Sequence, residues 1–217
     1  MLKTHGLLIT FEGIDGCGKT TQVEMLQHML EESAVPHILV REPGGTAVGE
    51  EIRQILLHNH CSLSLQTELL LYMAARSELS EQVIQPALLA GKIVVCDRFT
   101  DSTLAYQGYG GGADLDLIRL LNHKATGGII PDLTFLFDLT VEEAASRRSG
   151  KADRMENKNY SYHLRVQNGY LEIARQEQER VVIMDASEDR TQQGDKVWQI
   201  IQALIKKRFK AGAGYDL

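Results

Sequence analysis

Short apolar runs alternate with amphipathic stretches along the whole chain. The apolar runs predict five strands, at Leu7 to Glu12, His37 to Arg41, Lys92 to Asp97, Leu133 to Leu139 and Val181 to Asp185. Helical periodicity predicts eight helices between and after them, at Lys19 to Glu32, Val48 to His58, Leu65 to Ala90, Asp101 to Tyr109, Asp114 to Lys124, Val141 to Arg148, Tyr160 to Arg180 and Asp195 to Phe209. This alternation predicts an α/β fold with a parallel sheet.

The third predicted helix is the most apolar segment of the chain. Leucine, methionine, valine and isoleucine occupy most of its faces, so we expect it to form core, a dimer surface or both. The 217 residues contain no internal repeat and no linker-like stretch. A single domain with a substantial core is therefore expected.

Composition narrows the class of partner and the compartment. A net charge of -6 at pH 7 argues against a nucleic-acid polymer as the main partner, so any basic site must be local. Cys17, Cys61 and Cys96 lie far apart, which disfavours a disulfide framework and indicates a cytoplasmic protein. The apolar stretch behind Lys3 is too short for a signal peptide and no run reaches membrane-spanning length, so we expect no membrane association.

A glycine-rich segment joins the first strand to the first helix. Residues 13 to 20 read Gly-Ile-Asp-Gly-Cys-Gly-Lys-Thr, which is the Gly-x-x-x-x-Gly-Lys-[Ser/Thr] phosphate-binding loop. Its glycines let backbone N–H groups surround one phosphate, Lys19 adds charge for the β- and γ-phosphates, and Thr20 offers a hydroxyl to magnesium. The candidate nucleotide-binding residues are Gly13, Ile14, Asp15, Gly16, Cys17, Gly18, Lys19, Thr20 and Thr21.

Other strand ends carry further candidate chemistry. Ligands of an open parallel sheet bind outside the carboxyl ends of the strands. The third predicted strand ends in Asp97, which we expect beside the magnesium of the phosphate loop, with a simple turn cap as the alternative. The planar fork of Arg98 suits bidentate capture of a phosphate.

A polar face follows the third strand. Asp101 can cap a helix that places Ser102 over Tyr106 and Thr103 over Gln107 at i, i+4 spacing. Two hydroxyls, an amide and a phenol then meet at one helix end. They form either a polar site or a solvated face.

An arginine interrupts the apolar third helix. Tyr72 and Arg76 share a face there, and a guanidinium in such a helix needs a partner to offset its desolvation. That partner is either a stacked planar base or an internal carboxylate such as Glu68 or Asp132.

A basic cluster supplies charge that the phosphate loop lacks. Arg147, Arg148, Lys151 and Arg154 fall within eight residues, whereas the variable loop positions 14 to 17 contain no arginine. Charge on a migrating phosphoryl group must then come from elsewhere in the chain. We expect a mobile basic lid at about residues 147 to 159, with a solvated helix end as the alternative.

These motifs together resemble thymidylate kinase of the bacterial type. The resemblance is carried by Glu12 to Thr21, Arg41 to Thr46, Ala74 to Arg76, Asp97 to Gln107, Pro131 to Leu133 and Asp153 to Glu156. It implies one domain over residues 1 to 217, built as a three-layer P-loop fold with a five-stranded parallel sheet flanked by helices and a short basic lid. It also implies a homodimer that transfers the γ-phosphoryl group of Mg-ATP to dTMP, giving dTDP and ADP for dTTP synthesis.

The resemblance also implies residue roles. Arg98 would hold the dTMP phosphate, Tyr72 would stack on thymine, and Asp15 would bond the deoxyribose 3'-hydroxyl. Arg76, Thr103 and Gln107 would read the polar edge of the base, with Tyr106 beneath the sugar. The implied substrate-binding residues are Asp15, Glu42, Pro43, Tyr72, Arg76, Arg98, Ser102, Thr103, Tyr106 and Gln107, and the implied catalytic residues are Lys19, Asp15, Arg98, Arg147, Arg148 and Arg154.

Two other hypotheses stay open at this point. The chain could be a different small-molecule or nucleoside monophosphate kinase, because a fold does not settle the substrate. It could also be a nucleotide-dependent switch or ATPase subunit. Arg98 and its polar neighbours favour a kinase, because a switch needs no second anion site. The segment Asn122 to Ala125 lacks the terminal Asp of a guanine-recognition tetrad, which weakens a GTPase switch.

Overall fold

The structure, a computed structural model, describes residues 6–58, 62–148 and 153–208. The strands are β1 (Leu7–Glu12), β2 (His37–Arg41), β3 (Ile93–Asp97), β4 (Leu133–Asp138) and β5 (Val181–Asp185). The helices are α1 (Lys19–Glu32), α2 (Ala47–Arg53), α3 (Leu65–Leu79), α4 (Gln85–Leu89), α5 (Thr100–Thr103), α6 (Leu115–Ala125), α7 (Val141–Arg147), α8 (Tyr160–Gln176) and α9 (Arg190–Arg208). π-Helical turns continue α2 through Gln54–His58, join α3 to α4 through Ser80–Ile84, and continue α5 through Leu104–Gly110.

All five strands form one parallel sheet in the order β2-β3-β1-β4-β5. β1 is central, and each of its six residues is buried, as expected for a strand covered by helices on both faces. Phe11 packs its ring against Phe135 and Phe137 of β4, with ring centroids 5.4 and 5.7 Å apart. The predicted five-stranded parallel sheet flanked by helices is confirmed.

The register of the sheet assembles the site. Phe11 of β1 and Arg41 of β2 both pair with Asp97 of β3, so three strands end at the same level. The residues that follow those ends therefore converge at one edge of the sheet, where ligands of parallel α/β folds bind.

Several helix boundaries differ from the sequence prediction, and the shifts at the end of α8 and the start of α9 are large. α8 ends at Gln176 rather than Arg180, because the backbone N–H groups of Arg180 and Val181 both turn back to the carbonyl of Glu177. α9 begins at Arg190 rather than Asp195, because the carboxylate of Asp189 accepts the N–H groups at the start of the helix. Phe209, the predicted end of that helix, lies outside the described residues.

The long third helix is divided between core and surface. Leu69, Met73 and Leu79 are buried, whereas Leu70 on the same helix is 52% exposed. Cys17 and Cys96 are free and buried, and Cys61 lies outside the described residues. Across 6–58, 62–148 and 153–208, no helix is long and apolar enough to cross a membrane.

Candidate active site

The phosphate loop connects β1 to α1 with the backbone geometry that its glycines permit. Gly16 and Gly18 have φ values of 93° and 95°, in the region that side chains disfavour. A Cβ at Gly16 would lie 2.3 Å from the carbonyl oxygen of Ala144. Gly18 is the N-cap residue of α1, and no side chain in the described part of the chain caps that helix. The first N–H groups of α1 are thus available to an anion.

Lys19 is folded back into the loop. Its buried Nζ donates to the carbonyl oxygens of Gly13 and Ile14, at 3.1 and 3.0 Å. The ammonium group therefore sits inside the loop that would surround a phosphate, as its predicted role requires.

Thr20 and Asp97 meet at the ends of neighbouring elements. The hydroxyl of Thr20 donates to Oδ2 of Asp97 at 3.0 Å. A hydroxyl and a carboxylate next to a phosphate loop form the oxygen-rich ligand set that Mg²⁺ prefers. The residues present thus fit a magnesium ion.

A first cavity lies beside the loop at the start of α1. It is lined by Cys17, Gly18, Thr21, Gln22, Arg147, Glu188, Asp189, Arg190 and Gln193. Gln22 connects its two sides, because its Nε2 donates to the carbonyl of Arg190 at 2.8 Å. The sequence reasoning missed the residues from Glu188 onward. These residues follow β5, and no candidate residue was assigned to the end of that strand. Their position after a strand of the parallel sheet was the signal that could have identified them.

A second cavity, the acceptor cavity, includes Asp15 of the loop in its wall. It is lined by all ten predicted substrate-binding residues, Asp15, Glu42, Pro43, Tyr72, Arg76, Arg98, Ser102, Thr103, Tyr106 and Gln107. Arg53, Leu57, Asp153 and Met155 complete its wall and were missed. Leu57 and Met155 have apolar side chains that look like ordinary core residues, so the sequence did not indicate that they line a cavity.

Arg98 is held tightly at the mouth of this cavity. Its φ of 71° is unusual for a residue with a side chain, and such strain is common at functional sites. Its guanidinium donates to Gly13 O at 2.9 Å, to Asp15 Oδ1 at 2.5 Å and to the hydroxyls of Ser102, Tyr106 and Tyr170. The guanidinium is 15% exposed, so its positive charge stands beside the phosphate loop and partly open to the cavity.

Asp15 stays ionised beside that cation. Burial disfavours its charge, but Arg98 and Lys19 together with the Tyr106 hydroxyl outweigh burial and hold the pKa of Asp15 well below its usual range. Asp15 is therefore an acceptor of hydrogen bonds, as a partner for a sugar hydroxyl would have to be.

Glu12, at the end of β1, binds two hydroxyl groups that also bind Arg98, those of Ser102 and Tyr170. Its carboxylate accepts from Phe99 N–H at 2.7 Å and from the hydroxyls of Ser102 and Tyr170 at 2.6 and 2.9 Å. Burial, followed by the nearby charge of Asp101, raises the pKa of Glu12 to about 7. The sequence reasoning assigned Glu12 no role, although its place directly before the phosphate loop was visible.

Arg76 is completely buried and bound by protein groups. Nε and Nη2 donate to Oε2 of Glu42, Nη1 donates to Thr103 and Asn122, and Nη2 also donates to Phe99 O. These five bonds match the five N–H groups of a guanidinium. A base oxygen at this position would therefore share a donor with a protein acceptor.

Two details of these side chains differ from the sequence prediction. The alternative of an internal carboxylate for Arg76 is confirmed, but the carboxylate is that of Glu42 rather than Glu68 or Asp132. Asp101 does not cap its helix, because Phe99 is the N-cap residue. The carboxylate of Asp101 instead forms a bidentate ion pair with Arg180, at 2.7 and 2.9 Å.

The described arginines of the basic cluster have different surroundings. Arg147 lines the first cavity and donates to Ala186 O at 2.9 Å, and the side chain of Arg148 lies against Gly16. Arg154 lies on the acceptor side, where it donates to Leu56 O and to Oε2 of Glu68. Positions 149 to 152 of the predicted lid, Lys151 among them, fall outside the described residues. The structure thus places two of the three lid arginines beside the loop and one away from it.

The family profile, the relatives and the solved structure that this chain matches all belong to one family. The family profile described as thymidylate kinase matches residues 11–197. A thymidylate kinase of Symbiobacterium thermophilum is 43% identical over 96% of this chain and 98% of its own length, and one of Caldanaerobacter subterraneus is 45% identical over 85% and 89%. The crystal structure of thymidylate kinase from Ehrlichia chaffeensis superposes with a TM-score of 0.75 at 36% identity, covering 91% of this chain and 99% of that one.

Proposed function

The chain belongs to the thymidylate kinase family, and we propose that it transfers the γ-phosphoryl group of Mg-ATP to dTMP between its two cavities. One observation carries the assignment of the cavities. The carbonyl oxygen of Gly13 accepts hydrogen bonds from both Lys19 Nζ and Arg98 Nη1. The cation for the donor phosphates and the cation for the acceptor phosphate thus meet at a single carbonyl oxygen.

The first cavity and the phosphate loop would hold the nucleotide donor. The uncapped start of α1 and the ammonium of Lys19 surround the place where the triphosphate would lie. The base of the donor would extend toward Arg147 and Arg190. These groups bind and orient the phosphates, which is most of what phosphoryl transfer requires of a protein.

Magnesium would be held by Thr20 and Asp97. Once bound there, it would neutralise charge on the β- and γ-phosphates during transfer. The contact between the Thr20 hydroxyl and Asp97 keeps both oxygens at the same place beside the loop.

The acceptor cavity would hold dTMP with its phosphate on Arg98. Asp15 would accept the sugar hydroxyl, Tyr72 would cover the base, and Arg76 and Gln107 would face its polar edge. No general base is required, because the phosphate of dTMP is already an anionic nucleophile near neutral pH. The protein must instead aim that phosphate and exclude water.

The switch hypothesis is less compatible with this geometry. A switch needs one nucleotide site, whereas fourteen residues of this chain, the strained Arg98 among them, line a second cavity. A homodimer and a cytoplasmic location stay predictions. The exposed Leu70 on α3 and Leu117 and Leu120 on α6 are where a second copy would bury apolar surface.

Acceptor choice is the direct test of this function. In an ADP-release assay with Mg-ATP, we expect dTMP to be the best acceptor among dTMP, dUMP, UMP, CMP and AMP. We expect dUMP to rank next, because one methyl group in an apolar pocket discriminates by only about 1 to 3 kcal/mol. Faster turnover with AMP or CMP would contradict the assignment, and ATP hydrolysis that dTMP does not change would favour an ATPase.

The lid arginines should act on the rate rather than on binding. We propose that Arg147, Arg148 and Arg154 supply the charge that the phosphate loop lacks when the segment closes. Each Ala variant should then lower kcat by about tenfold or more and raise the KM for dTMP much less. Steady-state kinetics of the three single variants tests this. A solvated helix end would instead give changes within about 0.5 kcal/mol in rate and stability, and would reject the lid.

A further inference from the structure

Gln107 has an amide whose orientation is fixed by chemistry. Its side chain is buried, and it donates from Nε2 to Oε1 of Glu68 at 2.7 Å. A carboxylate only accepts hydrogen bonds, so the amide atom that faces Glu68 must be the nitrogen. The carbonyl oxygen Oε1 of Gln107 therefore points away from Glu68.

That carbonyl oxygen is available to a ligand. Gln107 lines the acceptor cavity, and its Oε1 has no hydrogen-bond partner among residues 6–58, 62–148 and 153–208. An amide oxygen accepts and cannot donate. It suits the N3–H of thymine or uracil, and it repels cytosine, whose N3 is an acceptor without a hydrogen.

We infer that Glu68 is a positioning residue that sets base specificity by keeping the carbonyl oxygen of Gln107 turned toward the acceptor base. The inference rests on the proposed function, since it takes a pyrimidine nucleotide as the occupant of this cavity. Glu68 itself lies behind Gln107 and is absent from the residues that line the cavity. Its effect on the base would be transmitted entirely through the amide.

Glu68 is in turn fixed by Arg154. Oε2 of Glu68 accepts from Nη1 of Arg154 at 2.5 Å, and Glu68 is only 3% exposed. One carboxylate oxygen is thus committed to an arginine and the other to Gln107. The orientation of an amide at position 68 can therefore be predicted. Arg154 only donates hydrogen bonds, so it would bind the amide oxygen rather than the amide nitrogen.

The variant Glu68→Gln should reverse the amide of Gln107. The new side chain would keep its oxygen on Arg154 and turn its NH₂ group toward Gln107, which would then accept with Oε1 and present its own NH₂ to the base. The N3–H of thymine is a donor and needs an acceptor, so the NH₂ group of Gln107 would repel it. We expect the ratio of kcat/KM for dTMP to that for dCMP to fall on the order of 10- to 100-fold.

Three comparisons separate this effect from a loosened pocket. The ratio of dTMP to dUMP should stay within about twofold of wild type, because both bases carry N3–H and differ only by a methyl group. Arg154→Met leaves the Glu68 carboxylate in place, so it should keep the dTMP-to-dCMP ratio even where its kcat is low. In the double variant Glu68→Gln with Arg154→Met, position 68 loses the donor that orients it, and the ratio should partly recover.

The outcomes are distinct. If wild-type enzyme does not prefer dTMP, the proposed function fails. If it does, and folded Glu68→Gln keeps the wild-type dTMP-to-dCMP ratio, the positioning role of Glu68 is overturned. Equal losses with dTMP, dUMP and dCMP would also overturn it. Should Glu68→Gln not fold, Gln107→Met removes both amide atoms at similar size, and unchanged discrimination in that variant would overturn the inference as well.

Discussion

Replacing Lys19 with alanine or methionine should lower kcat by about a hundredfold or more, on the order of 3 kcal/mol of transition-state stabilisation. In the structure its ammonium group lies within the phosphate loop, on the carbonyl oxygens of Gly13 and Ile14. Charge develops on the transferred group only as the reaction proceeds, so the loss should appear mainly in kcat. Lys19→Met keeps most of the apolar stem and isolates the effect of the charge.

Stopped or coupled ADP-release assays at saturating ATP and dTMP measure this effect. Circular dichroism and the fluorescence of Trp198 report whether each variant is folded, because Trp198 packs against the main core from α9. Lys124→Ala, at an exposed position in α6, serves as a control that removes a lysine without touching the loop. A folded Lys19→Met protein with near wild-type kcat would show that the ammonium group does not stabilise the transferred charge.

Much of the fold was predictable because its signals are local. The apolar run of β1 and the glycine loop that follows it lie within residues 7 to 20, and both the strand and the loop lie where the sequence places them. The order of the strands could not be read in the same way. It depends on which helices cover each face of the sheet, and neither the sequence pattern nor the resemblance predicted the order β2-β3-β1-β4-β5.

The site was predictable as a set of residues and less so as a set of contacts. Local motifs pointed to Arg76 and to Glu42, but nothing in the sequence showed that these two residues, 34 positions apart, form a buried ion pair. The same limit applies to Asp101. Its spacing suggested a helix cap, yet Arg180, 79 residues later, offered a bidentate partner. Long-range pairs of this kind follow from tertiary packing, which local pattern does not encode.

The arginines of the predicted lid are close in sequence but have different partners in the structure. Charge clustering treated Arg147, Arg148 and Arg154 as one group. The structure ties Arg154 to Glu68 and Leu56 on the acceptor side, whereas Arg147 lies in the first cavity. The arginines of the predicted lid therefore have different partners in the described residues, which their clustering in the sequence could not show.

Replacing Arg98 with alanine should be the most damaging change in the acceptor cavity. Its guanidinium lies against both Gly13 O and Asp15, so it would hold the dTMP phosphate and also aim it at the donor. Removing one partner of a buried, hydrogen-bonded charge pair costs about 2 to 5 kcal/mol, and we expect kcat/KM for dTMP to fall by about a thousandfold. Both a higher KM for dTMP and a lower kcat should contribute, because binding and aiming are lost together.

The KM for ATP gives the internal comparison. Arg98 is not among the residues that line the first cavity, so its loss should change ATP binding little. Arg98→Lys keeps a positive charge but loses the planar fork, and its kinetics should lie between those of wild type and Arg98→Ala. Titration calorimetry with dTMP gives the binding part of the loss, and steady-state kinetics gives the remainder. Unchanged dTMP kinetics in a folded Arg98→Ala protein would show that Arg98 does not bind the dTMP phosphate, because a phosphate held by this guanidinium would lose its partner in that variant.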